Sequence, residues 1–149
     1  MIPFRTILYP TDFSELADHA FPVARSLARD HGASLVILHV YPPPISHGEE
    51  VARRSPDDFL DDLWEALHRY EVPEGTAVTH RLAEGKPAEQ IVRTARELNC
   101  DLIVLGTHGR TGLRRLLMGS VAEHVLRQAP CAVVTVGPPG REAAAPPEA

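Results

Sequence analysis

Ser34 to Val40 reads SLVILHV, an aliphatic run in which His39 is the only polar residue after the opening serine. A strand with one face in solvent alternates apolar and polar residues, whereas a nearly unbroken apolar run suits a strand covered on both faces of a parallel sheet. It is read as the second strand, and a central one. Working outward, Arg5 to Tyr9 (RTILY), Leu102 to Leu105 (LIVL) and Ala132 to Val136 (AVVTV) are the first, fourth and fifth strands. Thr76 to Ala83 (TAVTHRLA) alternates instead, with Val78, His80 and Leu82 against Thr79 and Arg81, as a half-exposed edge strand would.

Helical periods fill the gaps. Ser14 can cap a helix in which Leu16, Ala20, Val23, Ala24, Leu27 and Ala28 recur up to Gly32. Pro22 demands either a kink near Asp18 or a helix regular only from Pro22 onward. Ser55 as N-cap, Pro56 at the first position and Asp57 and Asp58 in the first turn introduce a second helix with the stripe Phe59, Leu60, Leu63, Leu67 and Tyr70. Pro87 opens a third, with Ala88, Ile91, Val92, Ala95 and Leu98 on one face. Ser120 and Glu123 read as a capping box for the last, whose apolar face is Val121, Ala122, Val125, Leu126 and Ala129, and Pro130 ends it. Five strands alternating with four helices predict a single doubly wound α/β domain, a five-stranded parallel sheet with helices on both faces. It spans residues 1–137; residues 138–149 have the composition of a disordered tail, and Tyr41 to Arg54, with three consecutive prolines, reads as a long loop.

The chain has 149 residues and 44% hydrophobic content, enough for one core without a disulfide or metal staple. A net charge of -5 argues against nucleic-acid or anionic-membrane partners. Cys100 and Cys131 form no CxxC, so reduced, buried thiols and a cytoplasmic location are expected. No apolar run is long enough for a signal sequence or a membrane span. Asp57, Asp58, Asp61 and Asp62 are assigned to a solvent-facing helix surface rather than to metal, and Trp64 to packing.

In a doubly wound sheet, ligands bind beyond the carboxyl ends of the strands where the strand order reverses. After strand four the chain runs from Gly106 through His108, Gly109, Arg110 and Gly112 to Gly119 and Ser120. Glycines let backbone N–H groups approach a ligand, and the start of the following helix favours an anion, so phosphate suits this loop. Tight turns alone would also account for the glycines. Neither GxxxxGK[ST] nor GxGxxG occurs. Asp12, just past strand one, can accept from ribose hydroxyls or an exocyclic amine, hold a phosphate-bound magnesium, or simply bond nearby backbone. Arg110, Arg114 and Arg115 can offset phosphate charge or face solvent, and His108 can reach a phosphate or cap a turn.

The segment GTHGRTGLRRLLMGSVAEHVLRQAPCAVVTV resembles the C-terminal signature of the universal stress protein family. In that family's nucleotide-binding branch the pattern is Gly, two residues, Gly, nine residues, Gly, then Ser or Thr, matched by Gly106, Gly109, Gly119 and Ser120. ILYPTDFSELADHA and SLVILHV resemble the family's first strand with its loop and its second strand. The resemblance implies strand order 3-2-1-4-5 and a site for ATP or another adenine nucleotide, with or without magnesium. Pro10, Thr11 and Asp12 would meet the ribose or base, Val40 the adenine edge, and Gly106, His108, Gly109, Arg110, Gly119, Ser120 and Val121 the phosphates. It further implies a cytoplasmic stress-response module that switches its interactions with nucleotide. Little turnover is expected, because the candidate loops hold no lysine, Lys86 being assigned to the far end of the sheet. A slow ATPase or nucleotidyl transferase is the alternative. With strand five apolar on both faces yet at an edge, a homodimer through Ala132 to Val136 is expected.

Overall fold

The computed structural model describes residues 3–43, 55–107 and 118–138. The elements run β1 (Thr6–Pro10), α1 (Glu15–Asp18), α2 (Phe21–His31), β2 (Ser34–Tyr41), α3 (Pro56–Leu67), β3 (Val78–Glu84), α4 (Pro87–Glu97), β4 (Leu102–Gly106), α5 (Ser120–Gln128) and β5 (Ala132–Val136). All four strand pairings are parallel and the order is β3-β2-β1-β4-β5, a single domain with helices on both faces. β2 is an interior strand, while the middle position belongs to β1, and β3 lies at an edge as its alternation predicts.

Successive side chains of a strand point to opposite faces, so each apolar interior strand feeds two cores. On one face Ile7, Tyr9, Leu35, Ile37, Leu102 and Val104 pack with Phe21, Ala24 and Ala28 of α2 and Leu67 of α3. On the other, Leu8, Val36, Leu38, Ile103 and Leu105 pack with Ile91, Val92 and Ala95 of α4 and Ala122 and Val125 of α5. The three interior strands are therefore buried on both faces over most of their length.

The first helical region divides in two. Ser14 caps α1 by accepting from the Ala17 N–H, α1 stops at Asp18, and α2 starts at Phe21 with Pro22 in its first turn, where a missing N–H costs nothing. Gly32 ends α2 in the left-handed region, at φ 62°. Ser55 caps α3 by accepting from the Asp58 N–H. At α5 the expected capping box is absent: Gly119 is the N-cap, with no side chain to offer, and Ser120 is already the first helical residue. Trp64 and Leu126, expected to pack, are 38% and 42% exposed, because α3 and α5 each meet the sheet along a narrower stripe than their sequences offer. Cys100 is buried but Cys131 only half-buried, and both are free thiols. Burial first, then the neighbouring Cys131, pushes the Cys100 thiol up to about 11, and burial raises Cys131 as well, so both stay protonated at neutral pH. The acids Asp57, Asp58, Asp61 and Asp62 are all exposed, and among the described residues no group of three or more acidic, histidine or cysteine side chains could hold a metal. Among the described residues no helix is long and apolar enough to cross a membrane. Residues 44–54 and 139–149, read as loop and tail, lie outside the described residues.

Candidate functional site

β1 leads through α1 and α2 to β2 on one side, and the chain returns to place β4 on the other, so the connections leaving β1 and β4 part at their carboxyl ends. A cleft of about 260 Å³ opens there. Pro10, Thr11 and Asp12 from the end of β1 form one wall, Leu38 and Val40 of β2 another, and Gly106, Thr107, Gly119, Ser120 and Val121 a third. Asp12 is the only charged side chain among the described lining residues. Of the positions singled out in the sequence, Pro10, Thr11, Asp12, Val40, Gly106, Gly119, Ser120 and Val121 line this one cleft. His108, Gly109 and Arg110, with Gly112, Arg114 and Arg115, lie outside the described residues.

The β1–α1 turn is held on every side. The Thr11 N–H donates to the Leu38 carbonyl at 2.8 Å, and His39 Nδ1–H donates to the Thr11 carbonyl at 2.8 Å. Thr11 Oγ1 accepts from the Phe13 N–H at 3.0 Å and lies 2.5 Å from the Tyr70 hydroxyl. Phe13 sits at φ 64°, a left-handed conformation uncommon for a residue with a side chain, and its ring lies 4.3 Å from that of His39. Asp12 Oδ1 accepts from both the N–H and the hydroxyl of Ser14, which in turn caps α1. The local backbone role open to Asp12 is thus realised, and the residue lines the cleft as well.

On the opposite wall the Thr107 N–H donates to the Val136 carbonyl at 3.0 Å, and the Gly119 N–H donates to the Thr107 carbonyl at 2.5 Å. The second bond pins together the two ends of the glycine-rich segment at the mouth of the cleft. α5 then begins from a glycine N-cap, and the positive end of its dipole lies at a cleft lined by Ser120, Val121 and Ala122. Gly106 has a packing reason of its own: a Cβ there would stand 2.9 Å from the Leu16 carbonyl oxygen of α1. α1 can cross the end of β4 only because that position carries no side chain.

Sequence reasoning missed Thr107, Leu105, Leu38, Pro87 and Ile91, which also line the cleft. The last two expose an error. A helix that follows a parallel strand begins at that strand's carboxyl end, so the start of α4 stands at the cleft end of the sheet, and Lys86, its N-cap, adjoins the lining residue Pro87. The lysine is not at the far end. Its ammonium is exposed and 3.9 Å from Glu89.

The sequence profile described as the universal stress protein family matches residues 3–137. A universal stress protein of Thermus aquaticus is 37% identical over 138 residues, covering 89% of this chain and 98% of its own. Among solved structures, that of protein MJ0577 of Methanocaldococcus jannaschii superposes with a TM-score of 0.81 at 28% identity, covering 93% of this chain and 99% of its own. A universal stress protein solved in complex with cAMP superposes with a TM-score of 0.65 at 25% identity, covering 91% of this chain and 98% of its own.

Proposed function

This chain belongs to the universal stress protein family, and from that premise we propose that its cleft binds ATP or a related adenine nucleotide, making it a regulatory module of the stress response with little or no turnover. The observation that carries the reading is the juxtaposition at one sheet end of the α5 N-terminus, the Asp12 carboxylate and the apolar wall of Leu38 and Val40. An anion suits the first, ribose hydroxyls the second and a purine the third. A relative of the same fold has been solved with cAMP, an adenine nucleotide. In this reading Pro10, Thr11 and Asp12 meet the ribose or base, Val40 the adenine edge, and Gly106, Gly119, Ser120 and Val121 the phosphates, together with His108, Gly109 and Arg110. Magnesium accompanying a triphosphate fits the donor set modestly: Asp12 is the only carboxylate among the described lining residues, which suits an ion held chiefly by phosphate and water.

The protein is read as cytoplasmic and as a homodimer through β5, whose half-buried Val133 and Val134 lie on a strand with one neighbour among the described residues. Lys86 beside the cleft gives the alternative, a slow ATPase or nucleotidyl transferase, a more definite candidate residue than the sequence suggested.

Calorimetry with ATP on the parent and on Gly109→Val tests the assignment. Submicromolar to micromolar binding lost in the variant supports it, while equal affinity with the fold intact overturns the phosphate assignment. Phosphate release faster than about one per second would favour the enzyme reading.

A further inference from the structure

Tyr70 does not line the cleft. It lies beyond α3, in the connection to β3, and borders a separate shallow groove with Asp18, Phe21 and Arg25. Its ring packs at 4.8 Å from Phe21 and 5.5 Å from Tyr9, a placement that burial of aromatic surface alone would justify. Its hydroxyl does something packing does not require. It sits 2.7 Å from Asp18 Oδ1 and 2.5 Å from Thr11 Oγ1, a residue 59 positions away along the chain.

The direction of these bonds follows from the donor inventory. A carboxylate only accepts, so the Tyr70 O–H proton goes to Asp18. The Thr11 hydroxyl must then donate to the Tyr70 oxygen, which leaves Thr11 Oγ1 free to accept the Phe13 N–H. Phe13 N–H, Thr11, Tyr70 and Asp18 form one directed chain, and each bond polarises the next. Its upstream end is the residue held at φ 64°, a conformation that persists only where surrounding bonds over-determine it.

We propose that Tyr70 is a positioning residue for the cleft, its hydroxyl tying Thr11 to Asp18 and so fixing the β1–α1 turn that presents Asp12. The consequence for ligand rests on the reading that the cleft binds an adenine nucleotide. Burial, more than any hydrogen bond, pushes the Tyr70 phenol up to about 12, so the proton that the chain needs stays in place across the physiological range. The arrangement links both flanks of the turn, because Asp18 closes α1 and Tyr70 arrives from the far side of α3. A single hydroxyl thereby couples the connection between α3 and β3 to a wall of the cleft.

The test compares the parent with Tyr70→Phe, which keeps the ring and removes the hydroxyl, with Thr11→Val, and with the double variant. Amide hydrogen exchange without nucleotide is read at Phe13 and at Ile37 in β2, and ATP affinity is read by calorimetry. In Tyr70→Phe, Phe13 exchange should quicken about fivefold relative to Ile37 and ATP binding should weaken about five- to tenfold, as loss of one hydrogen bond in a chain implies. The double variant should bind ATP no more weakly than the worse single variant by more than about twofold, since both break the same chain. An unchanged ratio of Phe13 to Ile37 exchange marks Tyr70 as packing only and overturns the proposal. So does parent-like ATP affinity in Tyr70→Phe, or fully additive losses in the double variant. A parent that binds no ATP overturns the reading of the cleft instead, and the exchange ratio then decides the positioning by itself.

Discussion

Asp101 and Asp12 stand at opposite ends of the same parallel sheet, one before β4 and one after β1. At the amino end, Asp101 Oδ2 accepts the N–H groups of Arg5 at 2.8 Å and Thr6 at 2.9 Å, while its own N–H donates to the Thr6 carbonyl. The Ser34 N–H donates to the Arg5 carbonyl, so the entry to β1 is stitched to both neighbouring strands. At the carboxyl end, Asp12 bonds Ser14 within its own turn, and the connections from β1 and β4 part around a cleft. One carboxylate closes the sheet across strands and the other closes a turn that lines the cleft. The difference is topological, because only at the switch point do consecutive crossovers leave by opposite faces.

Four perturbations test this contrast. The largest effect is expected for Gly106→Val, which drives a branched side chain into the Leu16 carbonyl and should cost about 3 kcal/mol. Chemical denaturation would measure it, and a parent-like midpoint would contradict the close approach of α1. Asp101→Ala removes a charged acceptor from two N–H groups and should cost about 2 kcal/mol, lowering the melting temperature by about 4–8 °C while leaving ATP affinity within twofold. Asp12→Ala should invert that pattern. Loss of its bonds to Ser14 costs about 1 kcal/mol of stability, whereas ATP affinity under the proposed function falls about tenfold or more. If both aspartates changed stability and affinity alike, the contrast between the two ends would fail.

The smallest effect lies away from either end. His80 on edge strand β3 stacks on His68 at 4.1 Å, and its Nε2 is buried without a hydrogen-bond partner among the described residues. Burial first, then the charge on His68, holds its pKa below the usual 6.5. The unfolded chain therefore binds the proton more readily, so this residue subtracts stability as pH falls below about 6.5 and is neutral above it. His80→Phe should flatten the melting temperature between pH 5 and 7, and an undiminished slope would place the acid sensitivity elsewhere.

Periodicity is a local property, and what it settles survives tertiary folding. The unbroken apolar runs of β1, β2 and β4 require cover on both faces, and both cores form on them. The alternation of β3 marks an edge, and Ser14, Gly32 and Ser55 act at the helix ends where they were read, since a cap needs only the neighbouring N–H and C=O groups. Exposure of Trp64 and Leu126 was less legible, because a helix with apolar residues over a wide arc does not say which of them its neighbours will reach.

Element types, the parallel sheet and the glycine-rich connection after β4 follow from the amino-acid sequence alone, because they rest on residue spacing and backbone preference. Tertiary structure decided which residues meet. Thr107, Pro87 and Ile91 join the cleft, and Lys86 stands at its end of the sheet, because the parallel pairing brings the carboxyl ends of β3 and β4 to one side. Gly119 rather than Ser120 became the N-cap of α5 with its N–H bonded to the Thr107 carbonyl, a bond that no reading of a capping box contains. Tyr70 reaches Thr11 across 59 positions because the α3–β3 connection packs on the core that β1 shares with α2, and a contact at that separation leaves no local trace in the chain.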